Sequence, residues 1–362
     1  MPVPDLPATM RVAVMYDVDD IRIEERPLPT LQPGDALVRT AASGVCSGDL
    51  MPWYVRKKAP FVFGHEPAGT VVALGADPSG KFALGDRVFA HHHAPCLDCA
   101  SCHAGQYVHC TTWRKTALEP GGMAEYFRVP AANFVDTLPL PDAVSFLDGS
   151  LVEPLGCVVK SLRRALAIAP SIPLVATEAH HAPDLCGRCV YVIGAGVMGL
   201  MHVAVAASLG ATVFASDFNA ARRAVAVDLG AALAFDPATA YVELEAATHG
   251  RLASTTICGP GAPAALEAAV AATGTDGTVL MFTPIEPERR FVFDQSAAYF
   301  RDIRLVSSYS CGPADTRDAL NLIAAGIVTA VKLRATEFPF PAVGEAYDKM
   351  QRAQIVKAIV TF

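Results

Sequence analysis

The sequence predicts an α/β protein in which a β-rich first domain carries an inserted, doubly wound parallel-sheet domain. Three observations carry this. The chain has 362 residues, too many for one ordinary core and enough for about two domains. Up to about residue 150, Pro, Gly and Asp turns break it into short alternating apolar runs, whereas from about 155 apolar strands alternate with helical spans. The last stretch, from about 300, ends in a β-like "KAIVTF" that is expected to return to the first domain. The expected boundaries are 1–157, 158–298 and 299–362.

In order along the chain, "RVAVMY", "DALVRTAAS", "AGTVVALG" and "DRVFAHH" read as strands of the first domain, each bounded by turn residues. "CVYVI" is a continuous apolar strand running into a glycine turn, and "VMGLMHVAVAASLG" follows with helical spacing to a closing glycine. "ATVFASD" is the next strand and "NAARRAVAVDLG" the next helix. "ALAF", "STTICGP" and "GTVLMFT" are further strands with helical spans between them. The stretch 170–187, "PSIPLVATEAHHAPDLCG", is expected to be a surface loop from its Pro and Ala content. Its His180 and His181, with Cys186 and Cys189, are weak metal candidates.

Composition narrows the class of function. Hydrophobic residues make up 52% and charged residues 18%, so the chain folds and buries cores. Net charge is −7 with a sequence pI near 5.8, which gives no basic face for nucleic acid. The N-terminus has no basic segment followed by an apolar run, and no uncharged stretch is long enough to span a bilayer. A cytoplasmic protein is expected. In that compartment ten cysteines read as metal ligands, catalytic groups or buried thiols before disulfides.

Cys96, Cys99, Cys102 and Cys110 are spaced C-x2-C-x2-C-x7-C. Four thiolates from one compact loop match a closed tetrahedral zinc site, because zinc prefers soft sulfur and accepts the geometry imposed on it. With no open position, such a zinc is structural and staples a lobe at about 91–115. His103 and His109 beside it read as exposed loop residues.

Cys46, in "GVCSGDL", stands apart from that cluster. "FVFGHEPAG" adds His65 and Glu66, and "LVEPLG" adds Glu153. Singly, a Cys or His in a β domain is more often core than ligand. Together, Cys, His and Glu from distant positions make a mixed S/N/O shell with one place open, the arrangement of a catalytic zinc.

"GAGVMG" at 194–199, with Gly194, Gly196, Val197, Met198 and Gly199 as its candidate cofactor contacts, directly follows the strand "CVYVI" and opens a helix. In that setting it is the Rossmann dinucleotide fingerprint, whose glycines let a diphosphate approach the helix N-terminus. Asp217 ends the next strand, where a carboxylate accepts hydrogen bonds from the adenosine ribose hydroxyls and repels a 2′-phosphate. NAD is therefore expected over NADP, with Arg222 and Arg223 able to soften the preference.

With these motifs in hand, the chain resembles the zinc-dependent medium-chain alcohol dehydrogenase superfamily, most nearly its polyol (sorbitol) and threonine dehydrogenase branch. The resemblance runs over "GVCSGDL", "GHEPAG", the four-cysteine lobe, "EPLG", "VIGAGVMG" and the terminal "KAIVTF". It implies a GroES-like catalytic domain around a Rossmann domain, and two zinc ions per chain, one catalytic and one structural. Cys46 and His65 are then ligands of the catalytic zinc, with Glu66 and Glu153 competing for the remaining protein position. Asp49 is implied to hydrogen-bond His65, and Lys357 to contact the cofactor diphosphate. The implied reaction interconverts a secondary alcohol (a polyol, sugar, cyclitol or amino alcohol) and its ketone by hydride transfer to NAD. The implied assembly is a homodimer or homotetramer, with a small-molecule alcohol or ketone as partner.

The chain departs from the family at one point. Where members carry Ser or Thr two residues after the catalytic cysteine, it has Gly48, and Met51 replaces a histidine that some members place three residues further on. Ser47 is the nearby hydroxyl. Trp53 and His92 are the candidate substrate-facing residues, with Arg56, Lys57 and Lys58 as a basic rim or a solvated turn. Two other readings are a zinc-free, NADPH-dependent quinone or enone reductase and a non-catalytic NAD-binding protein of dehydrogenase fold. Intact Cys46, His65, Glu66 and Asp217 oppose the first, and the missing relay hydroxyl alone supports the second.

Overall fold

In the computed structural model, described for residues 6–176 and 180–362, the chain begins with a hairpin of β1 (Thr9–Asp17) and β2 (Asp20–Pro27). β1 is buried on both faces. Met10, Val12 and Val14 pack with Ala124, while Ala13 and Met15 join Phe63, Met123, Tyr347 and Val360. Alternation gives each set its own side of the strand. β3 (Ala36–Gly44) leads through a 3₁₀ turn at Ser47–Leu50 into a short helix α1 (Pro52–Val55). β4 (Phe61–Val62) pairs with β1. β5 (Glu66–Leu74) and β6 (Arg87–Ala90) follow, then two short helices, α2 (Ala100–His103) and α3 (Thr111–Lys115), within the cysteine-rich segment. β7 (Tyr126–Val129), β8 (Thr137–Pro139), α4 (Phe146–Gly149) and α5 (Val152–Leu166) complete the first part.

From Leu155 to Ser310 the chain builds a second compact unit, to which 325–328 also belong. Its strands are β9 (Cys189–Ile193), β10 (Thr212–Ser216), β11 (Ala231–Phe235), β12 (Ala253–Cys258), β13 (Thr273–Met281) and β14 (Arg304–Ser307). All pairings among them are parallel, in the order β11-β10-β9-β12-β13-β14. The crossovers are α6 (Val197–Ser208), α7 (Ala220–Asp228), α8 (Ala240–Ala247), α9 (Pro263–Ala272) and α10 (Gln295–Tyr299). This is the doubly wound sheet expected from the strand and helix alternation. The expected return at 299 comes too early, because β14 is the sixth strand of this sheet and keeps the chain in the second unit to Ser310. At the other end that unit starts at Leu155, inside α5, rather than at 158.

The described residues of 170–187 form neither helix nor strand, and 177–179 lie outside the described residues. The segment is tied down by Arg163 donating to the Ile172 carbonyl at 3.0 Å and Leu185 N–H donating to the Leu209 carbonyl at 2.8 Å. His180, His181, Cys186 and Cys189 do not gather into a metal-binding group among the described residues.

The chain then returns to the first unit through α11 (Pro313–Ala324), β15 (Thr336–Pro339), α12 (Val343–Gln351) and β16 (Ala358–Thr361). β16 pairs antiparallel with β3, Ile359 opposite Gly44. The main sheet of this unit runs β15-β16-β3-β5-β6-β8, with β7 also on β3. β3 is thus central, and the residues that follow it are placed by a fully built sheet. A second core, with Val38, Val71, Val88 and Phe127, packs within this unit. No helix among the described residues is long and apolar enough to cross a membrane.

Candidate zinc and cofactor sites

The four cysteines of the lobe come together. Their sulfurs all lie within 4.8 Å of one another, with Cys99 to Cys102 and Cys110 to Cys96 each at 3.6 Å and Cys96 to Cys102 at 3.9 Å. Tetrahedral zinc with bonds of about 2.3 Å holds its sulfurs about 3.8 Å apart, so the donor set fits that ion. Leu97, at φ +62°, makes the turn between the first two cysteines. Val108 and Trp113 supply the small apolar packing beneath. His103 and His109 are exposed, as expected of loop residues.

Cys46 follows the end of β3, and its Sγ accepts a hydrogen bond from Gly48 N–H at 3.3 Å. Gly44, which pairs with Glu66, has no room for a side chain, since a Cβ there would lie 1.9 Å from Glu66 Oε2. Gly64 precedes His65 at φ +88°, where a Cβ would also meet Met123 N at 2.6 Å. These two glycines bring His65 and Glu66 to the same end of β3 as Cys46. Ligand atoms of Cys46, His65 and Glu66 lie within 4.8 Å of one another. His65 Nδ1 is 3.5 Å from Asp49 Oδ2, which is buried without a hydrogen-bond partner, so the two are neighbours without the expected hydrogen bond being formed.

Two features of this group fit a cation. Glu66 Oε1 is buried without a hydrogen-bond partner, although Oε2 is engaged. Burial alone would depress the His65 imidazole, yet Cys46, Asp49 and Glu153 together hold it well above its ordinary range. The negative field draws positive charge to this point. Sulfur, nitrogen and carboxylate oxygen are the donors that zinc takes.

Glu153, in the first turn of α5, is 5% exposed. Its carboxylate groups with His91 and His92, all within 4.8 Å. The three consecutive histidines separate in role. His91 is fully buried, its Nδ1 2.7 Å from Asp136 Oδ2. His93 is tied to the Thr116 carbonyl and packs at a tilt against Trp113, and burial lowers it to about 4. His92 lies against His65, ring centroids 4.9 Å apart. Trp53 packs edge-on to Tyr54 with Lys57 Nζ 5.1 Å over its ring. Ser47 is half-buried.

Lys357 departs from expectation. Its side chain is 1% exposed and its Nζ donates to Glu66 Oε2 and, at 2.8 Å, to the Val45 carbonyl. An ammonium so enclosed and already paired is not presented to a diphosphate. The His91–Asp136 pair and the Lys357–Glu66 pair are the functional-looking contacts that sequence reading missed. The triple "HHH" pointed toward the first, and nothing local pointed to the second.

In the second unit Gly194 adopts φ +89°, and a Cβ on Gly199 would fall 1.9 Å from the Gly194 carbonyl oxygen. Gly196 caps α6 with no side chain over the helix N-terminus, leaving the first N–H groups open toward an anion. Asp217 accepts from Ala195 N–H and Asn219 N–H, both at 2.8 Å. The carboxylate therefore pins the glycine turn as well as standing at the end of β10. Arg223 donates to the carbonyls of Asp217 and Phe218 and to Asp236, so it is committed to this turn. Arg222 is half-buried on the same helix.

Residues 32–142 match the alcohol dehydrogenase GroES-like domain, and residues 197–325 match the zinc-binding dehydrogenase family. The chain is 29% identical to probable D-xylulose reductase A of Aspergillus terreus, over 96% of this chain and 97% of that protein. It is 27% identical to sorbitol dehydrogenase of Bacillus subtilis, over 96% and 94% of the two chains. An alcohol dehydrogenase of Thermus sp. ATN1 superposes with a TM-score of 0.80 at 25% identity, covering 97% of this chain and 99% of the other. With the donor sets above and the nucleotide fingerprint in place, the chain belongs to the zinc-dependent medium-chain alcohol dehydrogenase family and is an NAD(P)-dependent dehydrogenase.

Proposed function

We propose that this protein oxidises a secondary hydroxyl of a polyol or sugar-like alcohol to the ketone, reversibly, with NAD preferred as the acceptor. The observation that carries the reading is the convergence of Cys46, His65 and Glu66 at the end of the central strand. Cys46 and His65, with Glu66 or Glu153, would hold the catalytic zinc, and Cys96, Cys99, Cys102 and Cys110 the structural one. When bound, zinc supplies Lewis acidity that lowers the pKa of the substrate hydroxyl, and the nicotinamide accepts the hydride.

The chain's own residues do the rest. Asp49 orients His65, and Lys357 holds one oxygen of Glu66 so that the other faces the thiol and imidazole. The glycines of "GAGVMG" admit the diphosphate to the α6 N-terminus, with Val197 and Met198 at its first turn. Asp217 favours the unphosphorylated ribose, with Arg222 nearby. Ser47 is the hydroxyl available to carry the substrate proton outward, given Gly48 and Met51. Trp53 and His92 face the substrate.

The polyol class is supported by relatives named as a xylulose reductase and a sorbitol dehydrogenase. A homodimer or homotetramer and a cytoplasmic location belong to the same reading, the latter supported by ten free cysteines. Nicotinamide absorbance, followed with NAD and then NADP against alcohols, polyols, cyclitols and amino alcohols, tests it. Turnover is expected with a secondary hydroxyl flanked by hydroxyls. NADPH-dependent reduction of an enone, with no alcohol oxidised, would overturn it in favour of the quinone reductase type.

A further inference from the structure

Cys46 and His65 meet in the candidate zinc group, so residues 47–64 leave that group and return to it. The outgoing half is a continuous ladder of backbone hydrogen bonds. Asp49 N–H donates to the Cys46 carbonyl, Met51 to Gly48, Val55 to Met51 and Lys58 to Val55, all between 2.8 and 3.2 Å. Val55, 0% exposed, anchors this arm in the core that also takes Val45 and Phe63. The returning half passes through β4 to Gly64. Between the two halves stand Arg56, Lys57 and Lys58, all exposed.

The charge of this segment is one-sided. From Met51 to Gly64 it carries three cations and no carboxylate, in a chain whose net charge is −7. Arg56 is committed to Asp17, at 3.1 Å. Lys57 and Lys58 form no ion pair among the described residues, and aromatic faces place them instead. Lys57 Nζ lies 5.1 Å from the centroid of the Trp53 ring and Lys58 Nζ 3.8 Å from that of Tyr54. The two rings meet edge-on at 5.8 Å. An ammonium on a ring face keeps N–H donors for a further partner. Its field also reaches the zinc group. Burial lowers both His92 and His93, and Lys58 is among the charges that lower them further. His92 in turn lies against His65. Two adjacent ammoniums without carboxylates make a local positive potential in an otherwise acidic protein.

We propose that Lys57 and Lys58 bind a phosphate monoester on the substrate, so that the alcohol oxidised is a polyol or sugar phosphate. Its secondary hydroxyl is then presented to the group of Cys46 and His65 while its phosphate rests on the two lysines. This rests on the proposed reading of that group as the alcohol-oxidising site. A phosphate ester carries about −1.5 to −2 charges at pH 7, which matches two ammoniums, whereas a carboxylate carries one. Lysine binds phosphate as a point charge and needs no bidentate geometry, so a flexible pair on a rigid arm suffices.

The test is kcat/KM with NAD for matched pairs, glucitol against glucitol 6-phosphate and xylitol against xylitol 5-phosphate, with gluconate as the carboxylate. In at least one pair the phosphate ester should be preferred about tenfold or more, the scale of two partly solvated charge contacts. The double variant Lys57→Gln/Lys58→Gln, which alters exposed side chains only, should bring that preference close to one, with the loss falling on KM rather than kcat. Salt at about 0.5 M should erode the preference of the unaltered protein, because it screens exposed charges. Equal kcat/KM within both pairs, a preference that survives the double variant, or gluconate taken ahead of the esters would overturn the inference. A rise in KM for NAD instead of for the ester would assign the lysines to the cofactor and overturn it as well. In each of these cases oxidation of a polyol leaves the dehydrogenase reading of the site standing. No oxidation of any polyol, esterified or not, would remove that reading and this inference together.

Discussion

Lys357 Nζ and Glu66 Oε2 form an ion pair in which both side chains are only 1% exposed, joining β5 to the residue just before β16. Gly44 is the third party, since no side chain there would clear the Glu66 carboxylate. Removing one partner of a buried pair leaves a stranded charge, which costs about 3–5 kcal/mol. Lys357→Met should therefore lower stability by that order in urea unfolding. Glu66→Gln combined with it should cost less than the two single changes added together. Additive losses would mean that the pair is not coupled.

Gly48 has space for the hydroxyl it lacks. A Cβ there would lie 3.4 Å from Cys46 Sγ, an ordinary contact, with nothing else beyond its two chain neighbours within 4 Å. Gly48→Ser should fold with unchanged stability and place an Oγ beside the metal-binding group. The expected gain in kcat at neutral pH is about tenfold, below the ~10²–10⁴ that a fully positioned acid–base group contributes. An unchanged kcat and pH profile would show that another group already carries the proton.

Much of the architecture is legible in the sequence because its signals are local. "CVYVI" before "GAGVMG" specifies strand, turn and helix within a few residues, and the turn works only because Gly199 has no Cβ. The four lobe cysteines lie close enough in sequence for spacing alone to bring their sulfurs together. β14 is harder to see. "RLVS" is short, its burial pattern only partial, and what makes it a strand is pairing with β13 rather than its own composition. Lys357 and Glu66 are 291 residues apart, and no periodicity connects them. His91 and Asp136 are 45 apart, and nothing local distinguishes the buried member of "HHH" from its neighbours. Convergence across elements is a property of the sheet, and the sequence records it only indirectly.

Asp217 has two duties, so its substitutions should separate them. It accepts from Ala195 and Asn219 N–H and stands where ribose hydroxyls are expected. Asp217→Asn keeps one acceptor oxygen for the turn and removes the charge. The KM for NAD should rise about tenfold or more, since hydrogen bonds to a charged group are worth about 1.5–3 kcal/mol. NADP should be used relatively better, because its 2′-phosphate no longer meets a carboxylate. Measuring kcat/KM with both cofactors decides it. A preference that does not move would place cofactor selection elsewhere on α7, with Arg222 the first residue to test.

His202 gives the second unit a defined acid sensitivity. It is 1% exposed on α6, between the Ser161 hydroxyl at 2.7 Å and the Met198 carbonyl at 2.8 Å. Burial lowers it from 6.5 to about 4, against a smaller opposing effect of the Met198 carbonyl. The folded protein keeps this imidazole neutral while the unfolded chain protonates it below pH 6.5. Its contribution is fully present above pH 6.5, is lost as pH falls from there to about 4, and does not change further below. The loss across that window is about 3 kcal/mol at most, since one pKa unit corresponds to about 1.4 kcal/mol. His202→Gln, which retains hydrogen-bonding groups without titrating, should flatten the decline of urea stability between pH 6.5 and 4. Equal slopes for the two proteins would show that His202 takes up its proton without unfolding, and that the acid sensitivity of the second unit lies in other groups.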